Sequence, residues 1–361
     1  MTNRQGLITI FGYGPTGIAT ADALRARGQA VRVVQRKRPA NLPAGIEFMP
    51  CDVMDAQSVL RAMTGAEQAV ISIGVEYSGK VWKEVWPKAM ANFLAAAEAT
   101  SARIVHIDNM YMYGPHSAEP INEDAPLTSY GQKPAVRAEA TRMWMKAGRE
   151  GRVKWAALRA PDFYGPGVDR SHIGETGLGL VAQGKMALLI PQPDQPHDYA
   201  YVPDIARAAV SLLDAPDDVF NQVWHVPCAP TRTSRQMGAD AIGAKLKFMP
   251  ISTLMLRMMG VFSPFLRECI EMRFTWNRPY IVDATKFSRR FWSDATPFEV
   301  GIPLTVKAFR AASMCSAHTA ALASLSTKVG SATRPARASR SGSLRHDRCG
   351  AKTTVARSAA T

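Results

Sequence analysis

Cysteine is scarce and scattered in this chain: the five residues, Cys51, Cys228, Cys269, Cys315 and Cys349, include no CxxC pair. That argues against a disulfide framework or a cysteine-based zinc site and fits a reducing compartment, so a cytoplasmic location is expected. No histidine pair has metal-ligand spacing, and no metal is expected. A Gly-x-Ser-x-Gly elbow is also missing, which leaves serine-hydrolase chemistry unsupported. Long apolar runs are absent as well. The most apolar later stretch, 250–266, is broken by Arg257, Gly260 and Pro264 and is too short to cross a bilayer. It reads as a buried or lid-like helix, and no membrane partner is expected. Residues 7–12 are apolar but run into a glycine-rich turn instead of a cleavage site, which does not fit a signal peptide.

What is present is an ordinary globular composition, 47% hydrophobic and 20% charged over 361 residues. The net charge of +14 is unevenly placed. From Ser313 onward there are eight Lys or Arg and one acid, so half of the excess lies in a terminal stretch poor in large apolar residues. Residues 311–361 are therefore expected to be a disordered basic tail. The remaining +7 suits an anionic cofactor, and no nucleic-acid partner is expected.

Short apolar runs alternate with helical patterns along the rest of the chain. Strands are predicted at 7–12, 31–35, 46–49, 69–73, 103–107, 154–160 and 221–227. Helices are predicted at 16–27, 55–63, 82–99, 133–147 and within 200–214. Strand–helix alternation at this spacing implies an α/β fold, a Rossmann-type doubly wound parallel sheet. The dinucleotide-binding core is assigned to 1–165 and completed by 198–227. Residues 166–197 and 228–310 form a smaller, mostly helical region expected to cover a substrate.

Gly12-Tyr13-Gly14-Pro15-Thr16-Gly17 is a G-x-G-x-x-G between a predicted strand and helix. Gly12 permits the tight turn, Gly14 lets backbone approach a pyrophosphate, and Gly17 lets helix and strand pack closely. The helix start, with Pro15 and Thr16, offers free N–H groups and its positive end to phosphate. Where NAD binders carry an acid at the end of the second strand, this chain has Gln35, then Arg36, Lys37 and Arg38. Cations without an acid favour a 2′-phosphate, so the expected cofactor is NADP, with NAD the alternative.

With these features in order, the chain resembles the extended short-chain dehydrogenase/reductase family, the NAD-dependent epimerase/dehydratases. The resemblance covers roughly 7–305. Cys51-Asp52-Val53 resembles the pair that contacts adenine in that family, and Ser72-Ile73-Gly74 the turn beneath its cofactor. Met112-Tyr113-Gly114, the segment from Arg159 through Tyr164-Gly165-Pro166-Gly167, and Tyr201-Val202-Pro203-Asp204-Ile205-Ala206 resemble three further motifs. The resemblance implies a homodimer built on helices 82–99 and 133–147. It also implies a Ser, a Tyr and a Lys for acid–base catalysis with hydride transfer.

Those catalytic positions depart from the family pattern. Asn109, after Asp108, stands where the serine should lie. Tyr130-Gly131-Gln132-Lys133 spaces tyrosine and lysine at i+3 rather than i+4. In one register Tyr130 donates the proton beside Lys133. In the other, Lys133 and Arg137 take the two positions and hold the cofactor without a tyrosine. Tyr111 and Tyr113 are nearby phenols that read first as packing. His106 reads as a core histidine, and His116, His172 and His197 as loop residues near a substrate. Trp82 and Trp86 share a helix face and read as packing, as does the Met255, Met258, Met259 stripe. Two functions follow: an NADP-dependent oxidoreductase or epimerase acting on a small hydroxyl- or carbonyl-bearing substrate, or an NADP(H)-binding regulator without turnover.

Overall fold

The computed structural model describes residues 6–115, 120–189, 194–237, 248–250 and 253–314. His116 and the tail beyond 314, expected to be disordered, lie outside them. Residues 311–314 continue a helix that begins at 298. The described residues up to Ser313 form one compact unit.

Seven strands form one parallel sheet. They are β1 (Leu7–Phe11), β2 (Val31–Gln35), β3 (Glu47–Pro50), β4 (Ala66–Ile71), β5 (Arg103–Asp108), β6 (Trp155–Arg159) and β7 (Gln222–His225). Their spatial order is β7-β6-β5-β4-β1-β2-β3. Pairs such as Ile8↔Val31 and Val70↔Val105 set the register. Every residue of β5 and of β6 is buried, as strands covered on both faces must be. Helices α1 (Pro15–Arg25) and α5 (Val202–Asp214) close one face through Ala21, Leu24, Ile205 and Ala208. Helices α2 (Ala56–Met63), α3 (Gly79–Thr100) and α4 (Lys133–Arg149) close the other through Val59, Phe93 and Trp144. The chain runs outward one way from β1 and the other way from β4, which leaves a crevice at their carboxyl ends.

Residues that leave the sheet cover its carboxyl edge. Short strands 162–164 and 199–201 pair in parallel, and 196–197 pairs with 232–233. Helices α6 (Thr253–Phe262) and α7 (Pro264–Glu271) follow, and Ser263 caps α7 by accepting from the Leu266 N–H. Trp82 and Trp86 are buried as expected. The Met255, Met258, Met259 stripe is not core: Met258 is 64% exposed and its neighbours partly so. α6 packs on α7 through its other side, with Leu256 buried. Among the described residues no helix is long and apolar enough to cross a membrane.

Candidate active site

The glycine turn has the geometry its spacing predicts. Gly12 has φ +95°, and a Cβ there would lie 2.7 Å from the Ser72 carbonyl oxygen. A Cβ on Gly17 would drive into the Gly12 carbonyl and come within 2.9 Å of Ser72 Oγ. Gly14 is different, because a Cβ there would meet nothing within 4 Å. The turn is therefore closed on its protein side and open on the side where α1 begins. Gly14 is the N-cap of α1 with no side-chain cap, and Pro15 opens the helix. Thr16 is buried, and its carbonyl accepts from Thr20 Oγ1. Ser72 Oγ donates to the Phe11 and Gly12 carbonyls, which ties β4 to the turn.

Around the crevice the other positions expected to contact a nucleotide are mostly displayed outward. Gln35 Oε1 accepts from the Tyr13 N–H at 3.3 Å and its Nε2 donates to the Lys37 carbonyl at 2.8 Å. Gln35 thus locks the loop carrying the cations to the glycine turn, a role sequence reading did not assign. Arg36 is exposed, and the Arg38 guanidinium lies 5.6 Å over the Phe48 ring. Asp52 is exposed and accepts from the Met54 N–H, and the Val53 carbonyl accepts from Asn92. Gly74 is exposed, with open space at its Cβ position.

At the other end of the crevice, α4 places its cations on one face. Arg137 is 2% exposed, pairs with Asp108 Oδ1 at the end of β5, and stacks 3.7 Å from the Trp86 ring. Its Nε and Nη1 are buried without a hydrogen-bond partner. Burial works against the charge of Asp108, but Arg137 together with His106 and Arg159 holds the carboxyl below its ordinary range. His106 is a core residue, pushed down to about 4 mainly by burial. Tyr113 is packing of a polar kind: its hydroxyl accepts from Arg159 at 2.6 Å and lies 2.8 Å from His225 Nε2.

The structure does not join Tyr130 to Lys133. Tyr130 is 43% exposed, and its hydroxyl donates to the Glu271 carbonyl. Lys133 is fully buried, with its ammonium 2.6 Å from Glu268 Oε2 and 2.5 Å from Glu271 Oε2. Both carboxylates come from α7, which nothing in the sequence placed over α4. Asn109 accepts from the Tyr111 N–H and donates its own N–H to Asp108. Tyr111 is thereby fixed through its backbone to Asn109. It stacks on Trp82 at 6.1 Å and shares a side-chain hydrogen bond with Tyr77. Burial, then the charge of Asp162, pushes Tyr111 far above the ordinary tyrosine range. His172 and His197, expected on loops, converge on that same Asp162.

Against known sequences, the profile of the NAD dependent epimerase/dehydratase family matches residues 8–226. The chain belongs to that family. Its fold is similar to that of UDP-glucose 4-epimerase from Thermotoga maritima, solved with UDP-glucose, at TM-score 0.68 and 18% identity over 85% of this chain and 99% of that one. It is also similar to the Thermus thermophilus UDP-glucose 4-epimerase solved with NAD, at 0.65 and 22% over 84% and 99%. A dTDP-glucose 4,6-dehydratase from Streptomyces venezuelae, solved with NAD, matches at 0.67 and 17% over 84% and 97%. No curated protein matches the chain. Sequence reading missed Tyr77, Asp162, Glu268 and Glu271. Asp162 lies inside the segment from Arg159 to Gly167 that it singled out, so a signal was available there.

Proposed function

We propose that this family member binds NADP across the β1–α1 turn and reduces a small carbonyl-bearing substrate, or oxidises the matching alcohol. The observation that carries the nucleotide is the one-sided glycine turn, closed behind Gly12 and Gly17 and open at Gly14. The amides at the start of α1 receive the diphosphate. Arg36 and Arg38 meet the 2′-phosphate, Asp52 and Val53 the adenine, and Ser72 and Gly74 underlie the cofactor. Arg137 reaches the sugar of the nicotinamide end by turning from the Trp86 ring, since its unbonded nitrogens are closed off from solvent in this structure. When bound, the nicotinamide supplies or accepts the hydride.

The proton has to come from this chain. Lys133 is saturated by two carboxylates, and the Tyr130 hydroxyl is turned to α7. Tyr111 is the better candidate, with Asn109 beside it to orient the substrate oxygen. A phenol held above its ordinary range stays protonated at neutral pH, and as a weaker acid than a free tyrosine it gives its proton late, to a substrate oxygen already made basic by hydride addition. The capture of Lys133 by Glu268 and Glu271 supports a second reading, a redox sensor that binds NADP(H) without turnover. The absorbance of reduced nicotinamide, followed over a panel of aldehydes, ketones and keto-sugars, tests both. Turnover that is lost in Tyr111→Phe and kept in Tyr130→Phe supports the enzyme. Tight binding with no turnover across the panel overturns it in favour of the sensor.

A further inference from the structure

We infer that Asp162, His172 and His197 form a binding site for one divalent transition-metal ion. The three come from different segments: the strand 162–164, the loop before Gly174, and the strand 196–197. Their ligand atoms all lie within 4.8 Å of one another. The side chains are nearly closed off, at 10%, 11% and 3% exposure.

The three side chains converge on one oxygen and are of the types that bind a metal ion. Both imidazoles approach the same oxygen, Asp162 Oδ2, with His172 Nδ1 at 2.6 Å and His197 Nε2 at 2.7 Å. Only the His197 contact is a hydrogen bond; His172 Nδ1 is buried without a partner. A ring nitrogen pressed on a carboxylate outside hydrogen-bond geometry gains less than a well-aligned bond would give, and a buried carboxylate needs a counter-charge. One cation among the three atoms answers both demands.

The surroundings hold the rings in place. The edge of Trp276 meets His172 at 4.2 Å between centroids, and Tyr280 stacks on His197 at 5.2 Å. Two imidazoles and one carboxylate suit zinc or a neighbouring first-row ion better than magnesium or calcium, which prefer oxygen. Three protein ligands leave a position open, as in catalytic zinc sites. Asp162 is close enough for its charge to act on Tyr77 and Tyr111, which puts the ion at the same cleft.

The test uses the full chain, stripped with a chelator and titrated with zinc chloride in a calorimeter, without nucleotide. One ion per chain is expected. Losing a group that only hydrogen-bonds a metal ligand already costs such sites about 10–100-fold, so Asp162→Asn and His172→Ala, which change ligands themselves, should weaken binding about 100-fold or more. Cobalt(II) added to the stripped protein should give a visible d–d band, absent in His172→Ala. His172→Cys keeps a ligand and should bind cobalt with a new sulfur-to-metal charge-transfer band. A folded wild type that takes up no zinc and stays colourless with cobalt overturns the proposal. So does unchanged affinity in a folded His172→Ala, His197→Ala double variant. Neither outcome depends on whether NADP binds.

Discussion

Two alanines three residues apart should fail in opposite ways. At Gly14 the backbone has φ −84° and ψ −170°, which alanine accepts, and its methyl would meet no protein atom within 4 Å. The protein loses only the preference of glycine over alanine at an N-cap, about 1 kcal/mol. At Gly17 the methyl collides with the Gly12 carbonyl and sits 2.9 Å from Ser72 Oγ. Overpacking of that kind costs about 1–3 kcal/mol or more. In a chain of this size each kilocalorie shifts Tm by about 2–4 °C, so Gly14→Ala should melt no more than about 2–4 °C lower and Gly17→Ala lower still. For NADP the prediction at Gly14 reverses. Its methyl fills the space the diphosphate must enter and forfeits at least one charge-assisted hydrogen bond, about 1.5–3 kcal/mol, or about ten- to hundredfold in Kd. Calorimetric titration beside a thermal melt reads both. A Gly14→Ala protein that binds NADP like wild type would refute the reasoning.

Replacing Arg36 and Arg38 together with alanine should weaken NADP by about tenfold or more, at least one charge-assisted contact, and leave NAD unchanged; equal losses for both nucleotides would contradict the 2′-phosphate assignment. Arg137→Leu strands Asp108 in the core, so urea unfolding should show a loss of about 3–5 kcal/mol, and a loss below about 1 kcal/mol would mean the pair does not hold the sheet edge. Two buried histidines set an acid limit. His106 and His225 are pushed down from 6.5 to about 4 and about 3, mainly by burial. Groups depressed in the fold give stability that is complete above the unfolded value near pH 6.5 and lost as pH falls toward 4. Each should steepen the decline by up to about 1.4 kcal/mol per pH unit. Urea midpoints between pH 7 and pH 4.5 check this, and a flat profile would mean that both rings reach solvent before they protonate.

The sheet was legible because its signal is local. Runs such as Val31–Gln35 and Arg103–Asp108 are short, apolar and bounded by turns, and a parallel strand buried on both faces needs little else. The glycine turn was legible for a similar reason: Gly12 and Gly17 are demanded by backbone lying within a few residues or on the next strand. The reacting end of the cleft was not. Whether Lys133 is free depends on Glu268 and Glu271, more than 130 residues away, and no spacing rule links α4 to α7. The same holds for His172 and His197, which share no motif: the pairing of 162–164 with 199–201 brings His197 toward Asp162, and His172 joins them from the loop before Gly174. Met258 misled in the opposite direction: its periodicity is that of a core stripe, yet the face that α6 buries is the one bearing Leu256.

A crystal structure grown with NADP tests the nucleotide assignment most directly. The diphosphate should lie against Gly14 at the start of α1, with the 2′-phosphate between Arg36 and Arg38 and the nicotinamide facing Tyr111. Density for the nucleotide anywhere else, or none at a concentration that saturates other NADP-binding folds, would contradict it.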